Sequence, residues 1–184
     1  MGSDNPTSAD NQQETTSSRC ALDPMWIVGF VDGEGCFSVS VHRNAFMHRH
    51  GGWQVQPVYH VCQHRDHRDV LDDLRLFFGC GSIRSKGPRS SVLTYSVSAL
   101  RELRCAIVPF FCENSLKVKG DDFRSFAFIV EAMSRRAHLT VEGFEEIVRL
   151  AFGMNANGKE RSRTLEEVRA GSSETARQAR PERE

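Results

Sequence analysis

The feature that most constrains the fold is an ordered change in hydrophobic periodicity along the chain. Phe37, Val39 and Val41 alternate with Ser38, Ser40 and His42, and Val55, Tyr59 and Val61 alternate with Gln54, Gln56 and His60. A period of two marks half-buried strands with one apolar face. Asn44 to Trp53 separates the two runs and contains Gly51-Gly52, a turn signal, so they pair as a hairpin. A second hairpin follows, Ser82–Lys86 and Val92–Ser98 around Gly87-Pro88. Helical spacing fills the gaps. Asp23-Pro24 is an N-cap with proline at the first helical position, opening a helix through about residue 32. Residues 66–78 place Val70, Leu71, Leu74, Phe77 and Phe78 on one face, and three more helices are expected near 99–111, 121–136 and 140–152. The order is αββαββα with additional C-terminal helices, an α+β domain.

The 184 residues divide into three parts. Residues 1–19 hold no valine, isoleucine, leucine or aromatic side chain and read as a disordered tail. Residues 20–154 form the foldable unit. Residues 155–184 carry seven basic and six acidic side chains, with Leu165 and Val168 as the only large aliphatics, and read as a charged, mobile and partly helical extension. No stretch approaches the ~20 apolar residues of a membrane span. The six cysteines are too sparse for a disulfide scaffold, and the start lacks the basic and apolar regions of a secretory signal. Reduced thiols in a cytoplasmic compartment of bacterial type fit best, with an organelle as the alternative.

Lysine plus arginine and aspartate plus glutamate both count 24, giving zero net charge, but the charge is partitioned. From Cys36 to Arg65 there is no acid, while Arg43, Arg49, Arg65 and five histidines are present. From Gly79 to Leu100 there is again no acid, with Arg84, Lys86 and Arg89. The carboxylates lie on the helices. The strands would then present a neutral-to-positive polar face to nucleic acid. Ser38, Ser40, His42, Asn44, Gln54, Gln56, His60, Arg84, Lys86, Arg89, Thr94 and Ser96 are suitable hydrogen-bonding side chains for a duplex groove.

Residues 25–33, MWIVGFVDG, are apolar almost all round, which predicts a short helix buried on every side. Gly29 and Gly33, four apart, make a flat strip that another backbone can approach closely. The chain has no second copy of this helix, so its expected neighbour is the same helix of another subunit, with Trp26, Gly29, Phe30 and Gly33 at the interface. Asp32 and Glu34 stand at the helix's C-terminal end, where the dipole disfavours negative charge. A divalent cation with oxygen ligands resolves that conflict, and beside nucleic acid it points to phosphodiester hydrolysis.

Ile27-Val28-Gly29-Phe30-Val31-Asp32-Gly33-Glu34-Gly35 resembles the LAGLIDADG motif of homing endonucleases, including the final acid-glycine pair. Cys36–Val41 is similar to the family's first reading strand, Tyr59-His60-Val61-Cys62-Gln63 to the segment ending in its glutamine, and Leu116-Lys117-Val118-Lys119 to the segment that brings its lysine to the active site. The likeness covers about residues 22–165. It implies Glu34 as the metal-binding carboxylate aided by the Gly33 carbonyl, and Gln63 and Lys119 as groups that position and polarise the attacking water and scissile phosphate. His67, a further catalytic candidate, falls where some relatives carry arginine in the same pocket, Val28 replaces a usually small residue, and Asp32 takes a supporting role. Also implied are Mg²⁺, with Mn²⁺ as a substitute, double-stranded DNA as partner, a staggered cut, and, from the single motif copy, a homodimer on a pseudo-palindromic site. Lys159, Arg161 and Arg163 match the segment after the core that touches phosphates. Two rival readings on the same fold are an intron maturase, with intron RNA as partner, and a DNA-binding regulator without catalysis. Cys62, His64, His67 and Cys80 match no standard zinc spacing, and Cys105 and Cys112 are expected to pack in the core.

Overall fold

Leu22–Met154 and residues 164–170 are described by the computed structural model. Helix α1 spans Pro24–Glu34, strand β1 Gly35–Arg43, β2 Trp53–His64, α2 Arg68–Phe78, β3 Ser82–Ser85 and β4 Val92–Val97. Helix α3 follows in three pieces: Leu100–Glu102, a π-helical turn Leu103–Ile107, and Val108–Glu113. Pro109 lies just after the π-turn; it has no N–H to offer the preceding turn, a common reason for a break in the ladder. Helices α4 (Gly120–Ser134) and α5 (Val141–Gly153) complete the domain. The order αββαββα and the α+β class are those expected.

The strands form one antiparallel sheet in the order β1-β2-β4-β3, so the two hairpins join through β2 and β4. The register sorts the side chains. Phe37 faces Tyr59, which faces Val97, and Val61, Tyr95 and Ile83 form the next row. All are buried except the half-buried Ile83, and they pack under α3, α4 and α5. Phe37 is the centre of this core: its ring lies 5.2–5.3 Å from those of Tyr59, Phe111, Phe123 and Phe126. Edge-to-face and tilted packing at such distances adds to the gain from burial. The opposite face carries the row Cys36, His60, Ser96 and Ser82, then Ser38 with Val58, Ser40 with Gln56 and His42 with Gln54.

Three expectations change. Helix α1 is buried on one side only: Ile27, Val28 and Val31 enter the core, whereas Met25, Trp26, Gly29 and Gly33 are exposed and Phe30 half-buried against Trp26. Cys105 and Cys112 are exposed. The buried stripe of α3 is Leu103, Ile107 and Phe111, and neither cysteine falls at that spacing. Within the C-terminal extension, residues 165–170 are helical and Val168 is buried in the core, so this stretch is docked. Residues 155–163 and 171–184 of the extension, Lys159, Arg161 and Arg163 included, and the N-terminal tail lie outside the described residues.

Candidate active site and nucleic-acid interface

The sequence around the motif dictates where its acid points. Asp23 accepts N–H bonds from Met25 (2.7 Å) and Trp26 (3.1 Å), fixing the start of α1 as the N-cap pattern required. At the other end Gly35 is both the C-cap of α1 and the first residue of β1. A Cβ there would lie 2.6 Å from Val31 Cγ1 and 2.8 Å from its carbonyl oxygen, so only glycine lets the helix pass directly into the strand. Glu34 therefore stands at the helix–strand junction, exposed, with no hydrogen-bond or ion-pair partner among the described residues.

Asp32, one turn end earlier, has the opposite surroundings. Its carboxylate accepts the backbone N–H groups of Lys117 (2.7 Å), Val118 (3.1 Å) and Lys119 (3.1 Å). These three residues lead into α4, whose N-cap is Lys119. The last turn of α1 thus holds the segment that enters α4, with an anion near the helix end where the dipole favours one. Partial burial acts to raise the Asp32 pKa, but the three backbone bonds and the Lys119 ammonium outweigh it and hold the carboxyl below its usual range. Lys119 is gripped at its other end too: its Nζ donates to the Asp32 carbonyl and to the Gly33 carbonyl, the latter at 3.3 Å. A lysine that spacing alone cannot tell from a surface residue is placed beside Glu34.

Gln63 lies at the same end of the sheet. Gly35 pairs with Val61, so Gln63 falls two residues further, level with the last turn of α1. Its Oε1 accepts the His64 N–H (3.0 Å). His67 is exposed at the N-cap of α2 and makes no side-chain capping bond. Cys36 is half-buried nearby, and burial, with Asp122 beside it, pushes its thiol pKa up.

On the polar face, Arg84, Lys86 and Arg89 are exposed, and Arg84 pairs with Thr94, which pairs with Cys62. That row lies near Glu34. Burial, with Lys86 nearby, lowers the His60 pKa, which leaves one ring nitrogen a donor and the other an acceptor at neutral pH. Ser38 and Ser40 spend their hydroxyl protons on the carbonyls of Val58 and Gln56 across the pair. Asn44 is engaged at both side-chain atoms: Nδ2 donates to Gln54 Oε1 (2.9 Å) and Oδ1 accepts the Phe46 N–H (3.0 Å). The connection Asn44–Gly52 is longer than a two-residue turn and is tied to the helical layer. Arg49 Nη1 donates to the Leu139 carbonyl (2.7 Å), His50 Nε2–H to the His138 carbonyl (2.9 Å), and the His50 ring stacks on Phe144 at 4.1 Å. None of these ties was visible in the sequence, where His50 stands only as one of five histidines in an acid-free run.

The fold agrees with that of known proteins. The family model described as LAGLIDADG endonuclease matches residues 27–130, which include Glu34, Gln63 and Lys119. A probable intron-encoded endonuclease 3 of Neurospora crassa is 32% identical over 142 residues, covering 77% of this chain and 26% of that protein. The chain spans about a quarter of the length of this and the next curated relative. Among solved structures, the homing endonuclease I-TnaI superposes with a TM-score of 0.70 at 36% identity, covering 85% of this chain and 99% of the other. The archaeal intron-encoded homing endonuclease I-Vdi141I, complexed with DNA, superposes with a TM-score of 0.75 at 25% identity, covering 83% and 96%. The matched region takes in the motif helix, the whole sheet and the lysine-bearing turn, more than half of the 184 residues, and the chain belongs to the LAGLIDADG endonuclease family.

Proposed function

We propose that this chain is a site-specific endonuclease that hydrolyses both strands of a long pseudo-palindromic DNA duplex, with a staggered cut, as a Mg²⁺-dependent homodimer in which Mn²⁺ also serves. The observation that carries the reading is Glu34: an exposed carboxylate with no partner among the described residues, beside the Lys119 ammonium, at the end of an acid-free polar sheet face. The DNA-bound state of I-Vdi141I supports a duplex as the partner of that face.

The donors on offer fit a hard divalent cation. The Glu34 carboxylate and the Gly33 carbonyl are oxygen ligands, the kind Mg²⁺ takes. One chain holds no cluster of three or more His, Cys, Asp or Glu among the described residues, so the remaining ligands would be phosphate oxygens, water and the second copy's carboxylate. When bound, such an ion supplies an activated water and neutralises charge at the scissile phosphate. The chain's own groups do the rest. Lys119 offers an ammonium to the phosphate oxygens and the departing oxygen. Gln63, with Oε1 held by the His64 N–H, keeps its amide N–H₂ to orient the water. Water gives up a proton as its oxygen bonds to phosphorus, one P–O ester bond breaks, and the departing oxygen takes up a proton, so none is gained or lost overall.

Cutting two strands needs two such carboxylates, and each chain has one motif. The strip of exposed Met25, Trp26, Gly29 and Gly33 with half-buried Phe30 is the surface on which a second α1 would pack. Among the described residues, a Cβ built at Gly29 or Gly33 has no atom within 4 Å outside its own helix backbone and chain neighbours, so their openness serves no contact there. The five described cysteines are all free, which suits a reducing compartment.

The test pairs binding with cutting, on a duplex selected from a randomised library by the full chain. Glu34→Gln keeps shape and removes charge, so a gel shift in EDTA should be equal or slightly tighter. Cleavage in Mg²⁺ should fall by roughly three orders of magnitude or more, the scale of losing a preorganised electrostatic partner of the transition state. Near-native cleavage by Glu34→Gln would remove Glu34 from the active site.

A further inference from the structure

Phe46 is the most exposed large apolar side chain among those described, at 92% of its full accessible surface. A single exposed apolar residue is ordinary on a protein surface. What distinguishes this one is how much of the molecule is committed to presenting it. Asn44, which composition suggests as a base reader, uses its side-chain oxygen to hold the Phe46 N–H and its nitrogen to hold Gln54, while its backbone N–H donates to the Gly52 carbonyl (2.8 Å). His50 adopts a left-handed backbone (φ 51°), which a non-glycine residue keeps only when its surroundings insist. Here they do: its ring is buried on Phe144 and bonded to His138, and Arg49 is bonded to Leu139. The tip of the first hairpin is therefore braced from both sides.

Its position is equally specific. Glu34 immediately precedes the first residue of β1, and Phe46 lies three residues past the last. Nine strand residues at ~3.4 Å each put the tip about 30 Å from the cutting end, some nine base pairs along a duplex lying on the sheet. Around the tip Arg43, His48 and Arg49 are exposed and no acid occurs between Cys36 and Arg65. The surface continues the polar sheet face, and its charge suits phosphate.

We infer that Phe46 is an apolar DNA contact, positioned by Asn44, which grips sugar and base edges at the outer end of each half-site beyond the reach of the strands. This rests on the DNA reading above and adds a recognition element that carries no charge. The test measures affinity in EDTA for the selected duplex and for the same duplex trimmed to about eight base pairs on either side of its centre. Phe46→Ala should weaken binding to the long duplex about tenfold, as expected from returning part of one phenylalanine side chain to water. The dependence of affinity on salt should not change, because no cation leaves a phosphate. On the trimmed duplex the variant and the native chain should bind alike. Asn44→Ala should show a loss confined to the long duplex as well. Wild-type affinity of Phe46→Ala on the long duplex, or an equal loss on both duplexes, overturns the contact, and wild-type affinity of Asn44→Ala overturns the positioning. Failure of the native chain to select any duplex would instead overturn the DNA reading itself.

Discussion

Strand β1 joins two ends of the sheet that are held in opposite electrostatic ways. At the Glu34 end the fixing group is an ion: Asp32, its carboxylate spread over three backbone N–H groups ahead of α4. At the hairpin tip the fixing group is neutral: His50, buried on Phe144, with burial lowering its pKa against the opposing pull of the His138 carbonyl. The ionic clamp sits at the end proposed to cut and brings a lysine with it. The neutral latch sits where shape is needed. They also answer acid differently. Asp32 has a depressed pKa, so its contribution is present above the unfolded carboxyl value and is lost only as pH falls through the lower folded value. His50 is depressed from a higher starting point. The unfolded chain takes up that proton from about pH 6.5 downward while the folded chain resists it, so the latch loses stability in mild acid, where the clamp is untouched.

Beyond Glu34→Gln, four experiments test that contrast, ordered by expected size. Gly29→Leu should cost several kcal/mol of dimer association through overpacking, read by sedimentation. The chain's own melting should stay near native, since nothing lies within 4 Å of the new Cβ. A native chain that sediments as a monomer with DNA at micromolar concentration would instead contradict the shared helix. Next, Asp32→Asn removes the ion from the clamp. With hydrogen bonds to a charged group worth ~1.5–3 kcal/mol, about 2 kcal/mol should be lost in urea unfolding. Cleavage should drop with it and DNA affinity should not; a fall in affinity as large as that in cleavage would mean the clamp shapes the reading surface too.

Arg84→Ala probes the Glu34 end, on the row that reaches Cys62. If Arg84 grips a guanine edge, ~1–3 kcal/mol of affinity should be lost, with specificity relaxed at one symmetric pair of positions near the cut. A uniform loss over all sequences with a shallower salt slope would make it a phosphate contact. The smallest effect is His50→Gln, which keeps an N–H for the His138 carbonyl but cannot titrate. The native melting temperature should fall by a few degrees between pH 7 and 5.5, equivalent to about 1 kcal/mol at most. Part of that slope should vanish in the variant, with His60 and His138, both also lowered by burial, supplying the remainder. An unchanged slope would show that the latch does not sense pH.

Much of this architecture is written in local spacing. Alternation at Phe37–Val41 and Val55–Val61 decides which side chains face the core, because a strand turns each residue to the opposite side of its neighbour. Asp23-Pro24 marks the start of α1, and Gly35 its abrupt end, because capping and close approach are local requirements. The motif with Gln63 and Lys119 names the family and the candidate catalytic groups. Other features lie beyond spacing. The apolar sequence of α1 reads as buried on all sides, yet a single chain covers only the side bearing Ile27, Val28 and Val31. Cys105 and Cys112 lie in an apolar segment, yet the stripe of Leu103, Ile107 and Phe111 leaves both in solvent.

The two ties at the ends of β1 show most clearly where that boundary falls. Asp32 meets Lys119 across 87 residues, and His50 meets the carbonyl of His138 across 88. Periodicity tells which face of each segment is apolar, because that depends on the segment's own geometry. It does not tell which backbone groups end within 3 Å of one another when the helices settle on the sheet. The sequence by itself therefore determined the sheet, its polar face and the acid at its end. Only the tertiary structure decided that Asp32 holds Lys119 beside Glu34, and that Asn44 and His50 hold Phe46 out into solvent.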